Sequence, residues 1–159
     1  MVNQLLPQPI DNTYRGHKLA LWLFALVVSV KALQGLVVIF NGYYVAGSAD
    51  GIPLDTYAPE AAQTVVALFA LTGFSRLVIS LLCVLALVRY RSAIPFMFAL
   101  QIFDYLARLL ILHFVPIVRT GTEPGPVVNL MLFALMIVGL GLSLWSRGKP
   151  KTRAAEARR

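Results

Sequence analysis

Charge is scarce in this chain. Only 13% of its 159 residues are Asp, Glu, Lys or Arg, against about 25% in a soluble domain. With 58% hydrophobic residues, the balance excludes an ordinary soluble globule and predicts a membrane protein. Cysteine is scarcer still. Cys83 stands alone, which excludes an intrachain disulfide and any C-x-x-C pair, and so disfavours the membrane thiol oxidoreductases. Inside an apolar run, Cys83 reads as a small buried hydrophobe. There are two histidines, His17 and His113, and the topology below puts them near opposite membrane faces, too far apart to share a haem or metal ion. The chain has no metal-ligand cluster, no glycine-rich phosphate loop and no G-x-S-x-G. No cofactor is expected, and a catalytic role is disfavoured, although Asp104 with Gln101 or Tyr105 beside it is the place where a proton acceptor would sit.

Acids are outnumbered, seven against fourteen bases, for a net charge of +7. Such an excess invites a nucleic-acid reading. Its distribution opposes one, because the bases lie in short loops and a tail beside apolar runs, where they set membrane topology. No nucleic-acid partner is expected.

What is present is apolar sequence in long runs. The expected fold is all-α, a polytopic membrane protein with a bundle of four transmembrane helices and both termini cytoplasmic. The spans are placed at about 19–40, 61–88, 93–118 and 127–145. Residues 1–17, with Pro7 and Pro9, read as a flexible N-terminal arm, 18–146 as the transmembrane domain and 147–159 as a basic cytoplasmic tail. The bases before Leu19 resemble a signal-peptide n-region, but the run to Phe40 is too long for such a peptide and contains Lys31. Residues 41–60, rich in turn formers, read as a loop. Pro59-Glu60 suits the first turn of a helix, since proline fits there and an acid meets the positive end of the dipole. Span two is interrupted by Thr72, Gly73, Ser75 and Arg76. Span four has no charge, and its Gly139 and Ser143 form a small-xxx-small pair that permits close helix approach. No long internal repeat is seen, so an inverted-repeat transporter is not supported.

Orientation follows from the Lys/Arg bias. With both termini inside, ten bases fall on the cytoplasmic side and only Arg119 on the other, as the positive-inside rule requires. Trp22 and Trp145 then both reach the cytoplasmic interface. A bacterial inner membrane is the expected location. The expected partners are the lipid bilayer, another membrane chain or a second copy of this one, and anionic lipid at the basic tail.

The informative residues are the charges left inside the spans: Lys31, Arg76, Asp104 and Arg108. All lie near mid-span. Between Ile94 and Val115 there are thirteen Leu, Ile, Phe or Val residues. They favour insertion by about 4–8 kcal/mol in total, and Asp104 with Arg108 opposes it by about 5–7. Span three is therefore marginal in lipid alone and should turn its charges inward. At about 100° per residue, Gln101, Asp104 and Arg108 form one stripe, with His113 opposite it at the interface. Lys31 shares a face with Gln34 and Gly35, and Arg76 lies on a strip with Thr72, Gly73 and Ser80.

Asp104 is expected in a buried salt bridge with Arg108 and, across the helices, with Arg76. Lys31 is the residue best able to snorkel towards water. Three cations against one anion leave positive charge over. The leading reading is a non-catalytic subunit or interaction protein with a buried charge cluster. The alternative is binding or transport of a small anion or anionic lipid by Lys31, Gln34, Arg76, Gln101, Asp104 and Arg108.

Overall fold

The structure, a computed structural model, describes residues 11–120 and 124–145. The basic tail 147–159, residues 1–10 of the expected arm and the centre of the last loop lie outside the described residues. Among those described the regular structure is entirely helical. Four helices are long and apolar enough to cross a membrane: α1 (Lys18–Phe40), α2 (Pro59–Arg89), α3 (Ile94–Phe114) and α4 (Pro124–Leu144).

Local chemistry sets their ends. The His17 imidazole Nδ1 accepts the Leu19 N–H at 3.2 Å and caps α1. Pro59 opens α2 behind an extended Ala58, and Glu60 occupies its first turn. α2 runs unbroken for 31 residues, about 46 Å. The polar group Thr72, Gly73, Ser75 and Arg76 lies inside it as expected, and the hydroxyls turn back onto their own helix. Thr72 donates to the Leu68 carbonyl at 2.9 Å, Ser75 to Leu71 at 3.1 Å and Ser80 to Arg76 at 2.9 Å. Such bonds hide a hydroxyl at small cost to the helix.

α3 is shorter than the expected span and ends at Phe114 instead of residue 118. Pro116 drives Val115 out of helical geometry, and Val115 closes the helix with a bond to the Ile111 carbonyl at 2.8 Å. Residues 41–58 are less of a loop than expected. A helical turn at Gly42–Tyr44, a π-helical turn at Val45–Ala49 and a 3-10 turn at Leu54–Thr56 fold Ala46, Ile52 and Leu54 into a small core against Val65, Val66 and Phe69 of α2.

The helices are unevenly packed. α1 lies closest to α2 and also packs on α4, and α4 packs on α3. α2 and α3 follow one another through a three-residue turn, yet they meet far less than α1 meets α2. Glycines explain the close pair. A Cβ on Gly35 would lie 3.0 Å from the Gly73 carbonyl oxygen, and one on Gly73 2.9 Å from that of Gly35. At the other contact Gly139 of α4 leaves room for the Phe98 ring, which a Cβ would strike.

The apolar core occupies the end of the bundle where α1 begins and α4 ends. Phe24 and Phe98 meet edge to face with centroids 4.9 Å apart, among Val27, Ile94, Met136 and Cys83. Towards the far end the interior opens. Outward-facing leucines, valines and phenylalanines on all four helices stay exposed. Trp22 and Trp145, 76% and 71% exposed, mark the same end of the bundle.

The described part of the expected flexible arm is in fact docked. The Asp11 N–H donates to the Ser92 Oγ at 2.9 Å, and that hydroxyl donates to the Asp11 carbonyl at 2.8 Å. The His17 N–H reaches the Leu142 carbonyl at 3.1 Å. Gly16 fits against the Ser143 backbone where no side chain would, and burial of Tyr14 against the core raises its phenol to about 12. Residues 11–17 thus tie the α2–α3 turn to the end of α4.

Gly73→Val should destabilise the bundle by about 1–3 kcal/mol through overpacking, read as a lower unfolding midpoint in detergent. Gly141→Ala, where a Cβ meets nothing within 4 Å, should not lower it. Ser92→Ala removes the two hydroxyl bonds to Asp11, each contributing about 0.5–1.5 kcal/mol, leaves the Ser92 N–H on the Asp11 carbonyl at 3.3 Å, and should speed hydrogen exchange at residues 11–17 without shifting α1–α4.

Candidate functional site

The weak meeting of α2 and α3 leaves a cavity of about 800 Å³ between them, backed by α1. Each helix sends polar residues into it from the middle of its length. α1 contributes Lys31 and Gln34, α2 contributes Thr72, Arg76 and Ser80, and α3 contributes Gln101, Asp104, Tyr105 and Arg108. All six residues singled out in the sequence (Lys31, Gln34, Arg76, Gln101, Asp104 and Arg108) therefore line one space. The reason is periodic. On each helix these residues recur at three- and four-residue intervals, so one face carries them, and the Gly35–Gly73 contact turns the faces of α1 and α2 towards α3.

The ion pair differs from expectation in two ways. Arg108 donates through Nε to Asp104 Oδ2 at 3.0 Å, within α3. Both side chains are 31% exposed, so the pair is not buried but shows into the cavity. Arg76 does not join it. The two α3 residues are one turn apart and satisfy each other locally, whereas the open space holds Arg76 away on α2. The charges acting on Arg76 are those of Arg108, Asp50 and Asp104. Those acting on Lys31 are Asp104, Arg76 and Arg108. Along the cavity Asp50 and Asp104 thus stand against Lys31, Arg76, Arg108 and Arg119, and the arrangement retains an attraction for negative charge.

Gln101 forms the floor. It is 2% exposed, and its Nε2 donates to the Cys83 sulfur at 3.3 Å. Its Oε1 is buried without a hydrogen-bond partner, which costs about 1–3 kcal/mol unless something supplies one. Cys83 is a core residue, as its apolar run suggested, and is also the polar neighbour of Gln101.

Towards the far end the cavity reaches Asp50, Arg119 and Asn129. These lie in, or one turn from, connecting segments, and no periodic pattern points to them. Asn129 had a signal of sorts, as the one amide in an otherwise apolar α4. His113 also lines this end, although the helical wheel set it opposite Asp104. It stands in the last turn of α3, where the chain unwinds at Val115 and the cavity wraps around the helix end. Its ring meets Phe114 edge to face at 5.5 Å. The mouth is held by Thr120, whose N–H donates to the Gly51 carbonyl at 2.9 Å. Nearby, Tyr43 donates to Asp55 at 2.7 Å, which raises its phenol above the ordinary value.

Among the described residues no group of three His, Cys, Asp or Glu side chains is placed to hold a metal ion. What the cavity offers instead is guanidinium and ammonium groups, which bind oxyanions through charge-assisted hydrogen bonds. Comparison with family models, curated proteins and solved structures gives no match to this chain.

Proposed function

We propose that the protein is a multi-pass membrane protein, with both termini cytoplasmic in a bacterial inner membrane, that binds an anionic ligand between α2 and α3. One observation carries this reading. Lys31, Arg76 and Arg108 come from three different helices to one cavity, where Asp104 is the carboxylate at their level. Ionisable groups in membrane helices are expensive and turn towards a cavity or a counter-charge. A counter-ion for the uncompensated cations offsets that cost. Four helices of 21 to 31 residues suit spans of about 20, and the cationic turn Arg89–Arg91 agrees with a cytoplasmic side for the α2–α3 connection. The role is holding, not turnover.

A second reading stays attached to the same opening. The partly exposed Asp104–Arg108 pair lies beside the sparse α2–α3 contact, and a partner chain or second copy seated there would make the protein a non-catalytic subunit. Cross-linking in native membranes from cysteines introduced at Thr72 or Leu109 distinguishes them, since only the subunit reading yields a protein adduct at both.

Anion binding predicts that Arg76→Met with Arg108→Met lowers affinity by about tenfold or more, as expected when charged hydrogen bonds are removed. Isothermal titration of the detergent-purified protein with inorganic phosphate and with acetate measures it. Should the double variant not fold, Lys31→Met alone serves. A folded variant with unchanged affinity for both anions overturns the proposal.

A further inference from the structure

The cavity is too large for a bare anion. At about 800 Å³ it falls in the range of sites for drug-sized organic ligands, about 300–1,000 Å³, where a single water occupies about 30 Å³ of liquid. Its walls are mixed. The cations alternate with Phe69, Ile79, Leu109 and Leu112, so a ligand that satisfied only the charges would leave the apolar lining against water. The cavity also lacks a complete wall, because α2 and α3 meet sparsely. Asp104 and Arg108, each 31% exposed, line the cavity near the middle of α3. In the proposed membrane setting hydrocarbon lies outside, and charges at that depth need a polar cover.

Gln101 closes the inner side of the cavity. It is a deeply buried amide on the cavity lining with one polar end unpartnered. A thiol gives an S–H as well as receives one. With the amide turned end for end, Oε1 takes the Cys83 S–H and the NH₂ group holds the buried, unpartnered place. In either orientation one hydrogen-bonding end of Gln101 stays buried and unpartnered beside the cavity.

We infer that the cavity takes a phosphate-bearing amphiphile, its phosphate between Lys31, Arg76 and Arg108 with Gln101 beneath, and its hydrocarbon leaving between α2 and α3. This rests on the anion-binding reading above and deepens it. A phosphate monoester carries about −1.5 to −2 charges and three acceptor oxygens, which suits three cationic groups arriving from three helices. Its chains cover Ile79, Leu109 and Leu112 and continue into the bilayer, supplying the missing wall. The same phosphate chemistry is available from a lipid or from free phosphate, and the two differ in what the tail contributes.

The test uses the full chain in detergent, exchanged into nanodiscs of phosphatidylcholine with or without phosphatidic acid and read by native mass spectrometry after release. The expected result is retention of phosphatidic acid about tenfold or more over phosphatidylcholine, lost in Arg76→Gln with Arg108→Gln. Leu112→Asn is expected to weaken phosphatidic acid several-fold while leaving inorganic phosphate affinity unchanged. Inorganic phosphate binding as tightly as phosphatidic acid overturns the amphiphile and leaves anion binding standing. Equal retention of both lipids, unchanged in the double arginine variant, overturns the amphiphile, and absence of inorganic phosphate binding as well overturns anion binding with it. Thermal unfolding reports whether each variant is folded, and Lys31→Gln replaces the double variant if it is not.

Discussion

A charge set midway along an apolar helix has to find polar company, and this requirement organises the molecule. Lys31, Arg76, Asp104 and Arg108 are each surrounded in sequence by residues suited to hydrocarbon. Asp104 and Arg108 meet the requirement partly by themselves, one turn apart on α3. Lys31 and Arg76 have no such neighbour on their own helices, so their needs are met only where α1, α2 and α3 face one another. The charged faces therefore share one interior space.

That space exists because the bundle is close-packed at one end and open towards the other. Phe24, Phe98, Ile94 and Met136 fill the closed end, and Gly139 admits the Phe98 ring there. Gln101 and Cys83 mark the transition, a polar contact at the edge of the apolar core. Beyond them long charged side chains replace rings and branched aliphatics. Such residues do not interdigitate as an apolar core does, and α2 and α3 stay apart. The docked segment 11–17 adds to the asymmetry by lacing the α2–α3 turn and the end of α4 together at the closed end only. An open, cationic interior with one sparse wall is the form in which the proposed anionic ligand, and the amphiphile inferred from it, makes physical sense.

Much of the site was legible in advance. Helical periodicity is strictly local, so Gln101, Asp104 and Arg108 had to share a face, and likewise Thr72, Arg76 and Ser80. Hydropathy and the punctuation by Pro59, Pro95 and Pro124 placed four helices nearly where they lie. The misreadings have local reasons of their own. Pro116 ended α3 early by acting on Val115. Residues 11–17 looked like a free arm because their partners, Ser92 and Leu142, are far away in sequence.

The sequence by itself determined the class, the four helices and which face of each carries charge, because hydrophobicity, helix period and proline act over a few residues. Only the tertiary structure decided that α1 and α2 close on paired glycines while α2 and α3 separate, that Asp104 pairs within α3 and leaves Arg76 aside, and that one amide end of Gln101 goes unpartnered. Each of these depends on the distance between helices. That distance is set by side chains meeting across the bundle, and no pattern along a single helix contains it.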